Sequence, residues 1–374
     1  MTILVMSQRL DYHGRAVTWG LHQMGCKVHW WDRSIYPGQQ QLSLSLTDDG
    51  GCHMVSDGGD WPVPSGGYVA IWERRGKVPT PSPGLSAVDR RVASNESRKF
   101  LCGLVSILEV QNPDALVTNP AWAQERANEK ALQLHVAKQV GMDIPSTLIS
   151  NEPRRIRDFY RMHGGKVITK QHFPFSWRQP NGDLFLSGTF IVPPEAMESD
   201  AMLEASPMIF QEALDISGEL RIIVFGRTVF AGLQPRAAEG MPGFSDIRLE
   251  PRNELSVIDL DPGLRDKLFA FMERMGLNYA AFDIARTRDG RELFLEANEA
   301  GQFLSLESLD PTCHMLDAFC QYLASGDKAF EYKNPSGLRL TSFEDSSDGR
   351  LFREEFDHHM KFEYKAQPFE LSEA

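Results

Sequence analysis

Two periods of hydrophobic spacing run along this chain. Residues 3–6 (Ile-Leu-Val-Met) form a short, continuously apolar run that predicts a buried strand. A polar turn, a helical spacing over about 14–24 and a second strand over 28–31 follow. This is a βαβ opening, and with no G-x-G-x-x-G between strand and helix it carries no dinucleotide fingerprint. Between 41 and 72 the period drops to two, in short segments at Leu42–Leu46 and Cys52–Ser56 broken by Gly/Asp clusters within 48–67 that read as hairpin turns.

Further along, 80–84 reads as a Pro/Gly loop, 88–110 as a helix and 116–118 as a short buried strand, with a domain boundary near Asn119-Pro120. A helix is expected over 128–141 and a strand over 144–149, entered through Pro145. The runs 166–170, 184–192 and 208–211 are strand-like, with a charged helical piece over 194–204 and a hairpin, 221–225 with 229–233, turning at Gly226-Arg227. From 331 onward the chain is polar and charged, and its pattern suggests no function.

At 374 residues the chain exceeds one hydrophobic core, and 42% hydrophobic with 24% charged residues is the composition of an ordinary globular protein. Fifty-one acidic against 39 basic residues give a net charge of −12, which repels a phosphate backbone and argues against a nucleic-acid partner. The five cysteines are scattered and form no C-x-x-C pair; Cys313 and Cys320, seven apart in a helical stretch, read as core neighbours. Nowhere do about eighteen apolar residues run together, so no membrane partner and a cytoplasmic location are expected. Trp30-Trp31 reads as an anchor of the first lobe, Met197, Met202 and Met208 as packing, and His358-His359 as an ordinary surface pair.

The chemistry concentrates in 279–285 and 292–298, two strand-like runs joined by Arg288-Asp-Gly-Arg291 into a hairpin. Alternation puts Asp283 on one strand and Glu296 and Asn298, two apart, on one face of the other, so three oxygen-bearing side chains converge. Hard oxygen ligands so spaced suit magnesium, which takes one or two carboxylates together with substrate phosphates. Surface acids facing water are the alternative, but Glu296 and Asn298 stand among Leu293, Phe294, Leu295 and Ala297, where unpaired burial is costly.

With these residues in view the chain resembles the ATP-grasp ligases. Asn128 to Leu134 followed by Gly141 to Thr147 resembles the opening helix and strand of that fold, and Val167-Ile-Thr-Lys170 its lysine strand. Phe210-Gln-Glu-Ala-Leu214 resembles the adenine-binding linker, and Glu219-Leu-Arg221 with Gly226 the next hairpin. Within the superfamily the resemblance is to the ligases of microviridins and other graspetides, through Trp72-Glu-Arg-Arg75, Ile149-Ser-Asn151, Asp246-Ile-Arg248 and Glu299-Ala-Gly-Gln302. It implies an α/β (α+β) ATP-grasp fold with an N-terminal pre-ATP-grasp lobe at 1–118, a central subdomain at 119–207 with lid and peptide-binding segment, a C-terminal subdomain with the metal ligands at 208–330, and a polar tail at 331–374.

The same resemblance implies ATP and Mg2+. Lys130 and Lys170 would face phosphates, Gln211 and the backbone of Glu212, Ala213 and Leu214 the adenine, and Glu219 the ribose hydroxyls. Asp283, Glu296 and Asn298 would hold the metal. Arg236 and Arg248 would stabilise an acyl phosphate and grip a substrate carboxylate, with Arg221 as a third catalytic arginine. The partner implied is a precursor peptide with a leader segment, which 184–204 would hold; a homodimer is compatible with all of this. Two other readings stay open: a ligase joining a free amine to a small acid or protein, and a binding protein without turnover.

Overall fold

The computed structural model of the chain describes residues 1–48, 52–56, 67–74, 79–172, 176–178, 184–186, 188–236 and 255–363; Arg75, Arg248 and most of the turns expected within 48–67 lie outside them. Strands Thr2–Met6, Lys27–Trp31, Tyr68–Glu73 and Leu116–Thr118 form a parallel sheet in the order 27–31, 2–6, 68–73, 116–118. The βαβ opening is present, its helix Tyr12–Gln23 capped by Asp11, whose carboxylate accepts from the Gly14 amide. Parallel strands are buried on both faces, which explains why this sheet reads as apolar runs. Leu4, Met6 and Ile71 pack beneath helix Ala87–Gln111, and Ile3, Val5, Ala70 and Trp72 point to the opposite side. Trp31 is buried in the first of these layers and Trp30 packs against the second. Leu42–Leu46 and Cys52–Ser56 pair as an antiparallel hairpin.

A second sheet is antiparallel, in the order Thr189–Ile191, Val167–Lys170, Met208–Glu212, Thr147–Ser150. Helices Pro153–Met162 and Asp200–Glu204 cover one face through Ile156, Phe159 and Leu203, against Val167 and Phe210. The single strand expected over 184–192 is two: Leu184–Leu186 pairs with Ser176–Arg178, while Thr189–Ile191 joins the main sheet. The helical piece over 194–204 divides at Ser199, which caps its second half. Met197 and Met208 pack as expected, but Met202 is 66% exposed.

The third sheet positions the site. Its five antiparallel strands run in the order Ser256–Val257, Thr228–Pro235, Ile216–Phe225, Tyr279–Thr287, Glu292–Asn298. On one face Leu220, Ile222, Val224, Ala280, Phe282 and Ile284 meet helices Ala121–Ala127, Lys130–Gln139 and Pro262–Met275. Each large side chain buried there contributes on the order of 2 kcal/mol. The other face is split. Ile223, Phe225, Tyr279 and Ala281 join the first lobe's core around helix Met315–Ser325, whereas Glu219, Arg221, Asp283, Glu296 and Asn298 occupy the polar remainder.

The polar tail is structured. Helices Leu340–Glu344 and Ser347–His358 dock on helix Tyr12–Gln23, burying Leu340, Phe343 and Phe352. Tyr12 donates to Glu344 at 2.6 Å, and Arg9 pairs with Glu355 at 2.9 Å. Buried Asp317 accepts from Tyr332 Oη, Ser336 N and Ser336 Oγ at 2.8, 2.7 and 2.6 Å, tying the tail's first stretch to helix Met315–Ser325. Cys313 and Cys320 are both buried in this core, although Cys313 precedes the helix instead of lying in it. Among the described residues, no helix is long and apolar enough to cross a membrane.

Candidate active site

Between the second and third sheets lies a cleft of about 270 Å³. Period-two alternation supplies its walls: Val167 and Phe210 turn into the core while Ile168, Lys170 and Gln211 turn into the cleft. Glu212, Ala213 and Leu214 line its floor, with Glu219, Arg236, Ala285 and Leu295 on the facing sheet. Seven residues singled out by sequence therefore share one cavity.

Gln211 is 1% exposed, donates through Nε2 to Thr147 Oγ1 at 2.8 Å, and leaves Oε1 without a hydrogen-bond partner in the protein. A buried acceptor left unsatisfied is costly, so its place on the cleft wall fits a ligand carrying N–H donors, as adenine does. The linker contributes less backbone than expected. The Glu212 amide donates to Ser146 O at 3.0 Å and the Ala213 amide to Lys166 O at 2.9 Å. Glu212 Oε1 also accepts from the Ser146 amide at 3.0 Å, so this segment is fixed by the sheet's own edges and Leu214 carries the amide not committed to them.

At the other end of the polar face, Asp283 stands directly opposite Glu296, and Ala281 opposite Asn298. Paired side chains of an antiparallel ladder lie roughly 5 Å apart at Cβ, so the two carboxylates and the amide form one oxygen cluster. A bulge follows: the partner of Ile284 is Phe294, which leaves Leu295 as the extra residue. It turns Leu295 into the cleft beside Ala285 while Glu296 stays opposite Asp283, a re-aiming that alternation alone does not give. Among the described residues no three His, Cys, Asp or Glu side chains cluster, so a cation here would rest on two carboxylates, one amide and phosphate oxygens. That donor set suits magnesium.

Each carboxylate is held by a cation. Arg221 Nη1 donates to Asp283 Oδ1 at 2.7 Å and Nη2 to Gln302 O at 3.0 Å. Burial disfavours the charge on Arg221, but Asp283, with Tyr279 and Glu296 near, outweighs it and holds the guanidinium above its ordinary value. Lys130, at the start of its helix, pairs with Glu296 Oε2 at 2.9 Å and sits at the metal-ligand end, apart from Lys170 in the cleft.

Two residues that the sequence did not single out set this geometry. Buried Gln133 donates to Ala297 O at 2.9 Å and accepts from Ala297 N at 2.7 Å, locking strand Glu292–Asn298 to helix Lys130–Gln139. Asn119 donates to Tyr279 O and Glu299 O at 2.8 and 2.9 Å and accepts from the amides of Asn278 and Tyr279 at 2.7 and 2.9 Å. These six bonds link positions about 160 to 180 residues apart, beyond the reach of local spacing. Burial pushes the Glu299 carboxyl up, against a hydrogen bond from Asn128 at 3.2 Å.

No protein-family model matches the chain. A probable alpha-L-glutamate ligase 1 of Shewanella amazonensis is 26% identical over 234 residues, 62% of this chain and 75% of that protein. Among solved structures, the macrocyclase MdnC of Microcystis aeruginosa MRC, bound with precursor peptide MdnA, superposes with a TM-score of 0.75 at 25% identity, covering 87% of this chain and 99% of that one. A Chryseobacterium gregarium RiPP-associated ATP-grasp ligase, in complex with ADP and a leader and core peptide, gives a TM-score of 0.71 at 23% identity, covering 86% and 95%. The likeness, in fold to these ligases and in sequence to probable alpha-L-glutamate ligases, supports an ATP-dependent ligase of the ATP-grasp type.

Proposed function

We propose that this ligase uses ATP to activate a side-chain carboxylate of a ribosomally made peptide as an acyl phosphate, which a hydroxyl or amine of the same peptide then displaces to give an ester or amide ring. The carboxylate oxygen attacks the terminal phosphorus and ADP leaves; the nucleophile attacks the acyl carbon and inorganic phosphate leaves. Gln211 and Leu214 hold adenine, Glu219 the ribose, and Lys170 with Arg236 the phosphates. Asp283, Glu296 and Asn298 would hold magnesium, which would supply neutralisation of the phosphate charge. Arg221 orients Asp283, and Lys130 balances Glu296 until phosphate oxygens arrive.

The observation that carries this reading is coverage. The likeness to MdnC takes in 99% of that chain, including the first lobe, which nucleotide chemistry by itself does not require. An exposed sheet edge supports a peptide partner as well. Thr189–Ile191 forms the edge of the second sheet, with Phe190 and Ile191 37% and 42% exposed, and an extended leader could add there as a further strand.

Incubating the enzyme with ATP, Mg2+ and a precursor peptide encoded beside its gene tests the reading by mass. Ring closure removes one water per bond and yields ADP and phosphate. The alternative, addition of a free amino acid, is favoured by the similarity to probable alpha-L-glutamate ligases. It makes the product heavier by a residue, and that outcome, or AMP with pyrophosphate, would overturn the proposal.

A further inference from the structure

The turn after the metal strand, residues 299–302, offers four successive backbone carbonyls, and each accepts from a different element. Glu299 O accepts from Asn119 at 2.9 Å, Gly301 O from Tyr279 Oη at 2.7 Å, and Gln302 O from Arg221 at 3.0 Å. The remaining donor is Arg74 of the first lobe, whose Nη1 donates to Ala300 O and, at 3.3 Å, to Gly301 O. Arg74 is 2% exposed, and its Nε lies 3.4 Å from Asp11 Oδ2, the carboxylate that caps helix Tyr12–Gln23.

The turn in turn constrains Asn298. The Ala300 amide donates to Asn298 Oδ1 at 3.3 Å and the Gly301 amide to Asn298 O at 3.2 Å. No slack is available at Gly301, where a Cβ would come within 2.4 Å of Ala281 Cβ and 3.0 Å of Arg221 Nη2. A guanidinium suits this task because Nη1 serves the two adjacent carbonyls while Nε, fixed in the same plane, faces the Asp11 carboxylate, and a lysine's single ammonium cannot stand in both places.

We propose that Arg74 is a positioning residue for the metal end of the site: from the first lobe it fixes the 299–302 turn, and through it the Asn298 amide oxygen, against Asp283 and Glu296. The inference rests on the reading that Asn298 is a magnesium ligand, and it makes the first lobe a part of the metal site. Groups that orient metal ligands typically change metal affinity by about 10- to 100-fold when removed.

The test uses the full chain with Mn2+ as the spectroscopic probe. Free Mn2+ is titrated by electron paramagnetic resonance with ADP present, and ADP affinity is measured separately without divalent metal. Arg74→Lys should raise the Mn2+ dissociation constant by about tenfold or more, Asn298→Ala at least as much, and Tyr279→Phe, which removes one of the two donors to the Gly301 carbonyl, by less. ADP affinity without metal should not change, and the turnover of Arg74→Lys should recover at raised Mg2+. Wild-type Mn2+ affinity in folded Arg74→Lys, with Asn298→Ala impaired, overturns the role of Arg74 and leaves the metal reading standing. Unchanged affinity in Asn298→Ala overturns both. Should Arg74→Lys fail to fold, Tyr279→Phe decides, and wild-type Mn2+ affinity there overturns the proposal.

Discussion

The Lys130 ammonium lies 2.9 Å from the Glu296 carboxylate, so a helix and a strand 166 residues apart in sequence meet at the oxygen cluster through one ion pair. The pair is partly exposed, at 23% and 36%, and is worth little as a stabilising contact. Its consequence is electrostatic: the acid's charge is balanced within the protein, and under the proposed function the lysine would become available to phosphate once a cation takes its place.

Glu296→Gln keeps the shape of the side chain and removes its charge. Turnover should fall by at least about 100-fold, equivalent to roughly 3 kcal/mol of lost stabilisation, while the melting temperature stays near wild type. A folded variant with wild-type turnover would remove Glu296 from the metal set.

Lys170 lines the cleft proposed to hold the nucleotide and Lys130 does not, so their replacements should differ. Lys170→Ala should weaken ATP binding by about 10- to 100-fold, the worth of one charge-assisted hydrogen bond, and Lys130→Ala by less. Calorimetric titrations giving equal affinities for both variants and wild type would place neither at the phosphates.

Gln211→Leu removes the unsatisfied Oε1 from the cleft wall at nearly constant volume. ADP affinity should drop about fivefold, the worth of a single neutral hydrogen bond, and a purine lacking the exocyclic amine should bind both proteins alike. An unchanged ADP affinity would show that the base is read elsewhere.

Asp317 gives a pH-dependent test of the tail. Burial by itself would raise its pKa, but donors from Ser336, Gln321 and Tyr332 outweigh it and hold the carboxyl below its ordinary value. A depressed folded pKa means the stabilisation is present above the unfolded value, near 4, and is lost as pH falls through the lower folded value. Asp317→Asn turns an amide donor toward the Ser336 amide and should cost on the order of 3 kcal/mol at pH 7. The gap between the two melting curves should be constant from pH 7 to about 5 and should narrow below pH 4. A gap independent of pH would mean Asp317 does not titrate with folding.

Much of the site was legible because its logic is local. Asp283, Glu296 and Asn298 obey a period of two, and Lys170 and Gln211 stand three residues and one residue from core positions Val167 and Phe210, odd spacings that put them on the opposite face. The bulge at Leu295 was hidden, since an extra residue in one strand shows only against its partner. Gln133 and Asn119 were hidden for a related reason: each bonds to backbone, which no side-chain pattern records, and Arg74 stood out only as part of the Trp72–Arg75 motif, without its task. Among the tail's many charges, three inward apolar residues, Leu340, Phe343 and Phe352, were too few to show as a packed face.

The core shared by the two ends of the chain bears on how the protein is made. Ile3, Val5, Val17 and Leu21 are sealed by Phe303, Leu316, Phe319, Leu340 and Phe343. During synthesis, when earlier segments commonly fold first, the opening βαβ unit leaves the ribosome with one of its faces still waiting for residues some 300 positions away. A fragment ending at 118 would keep that face uncovered and should be insoluble unless 303–343 are supplied in trans. Folding of the first lobe should therefore finish late, and the turn at 299–302, made just before the missing cover, should be completed with it.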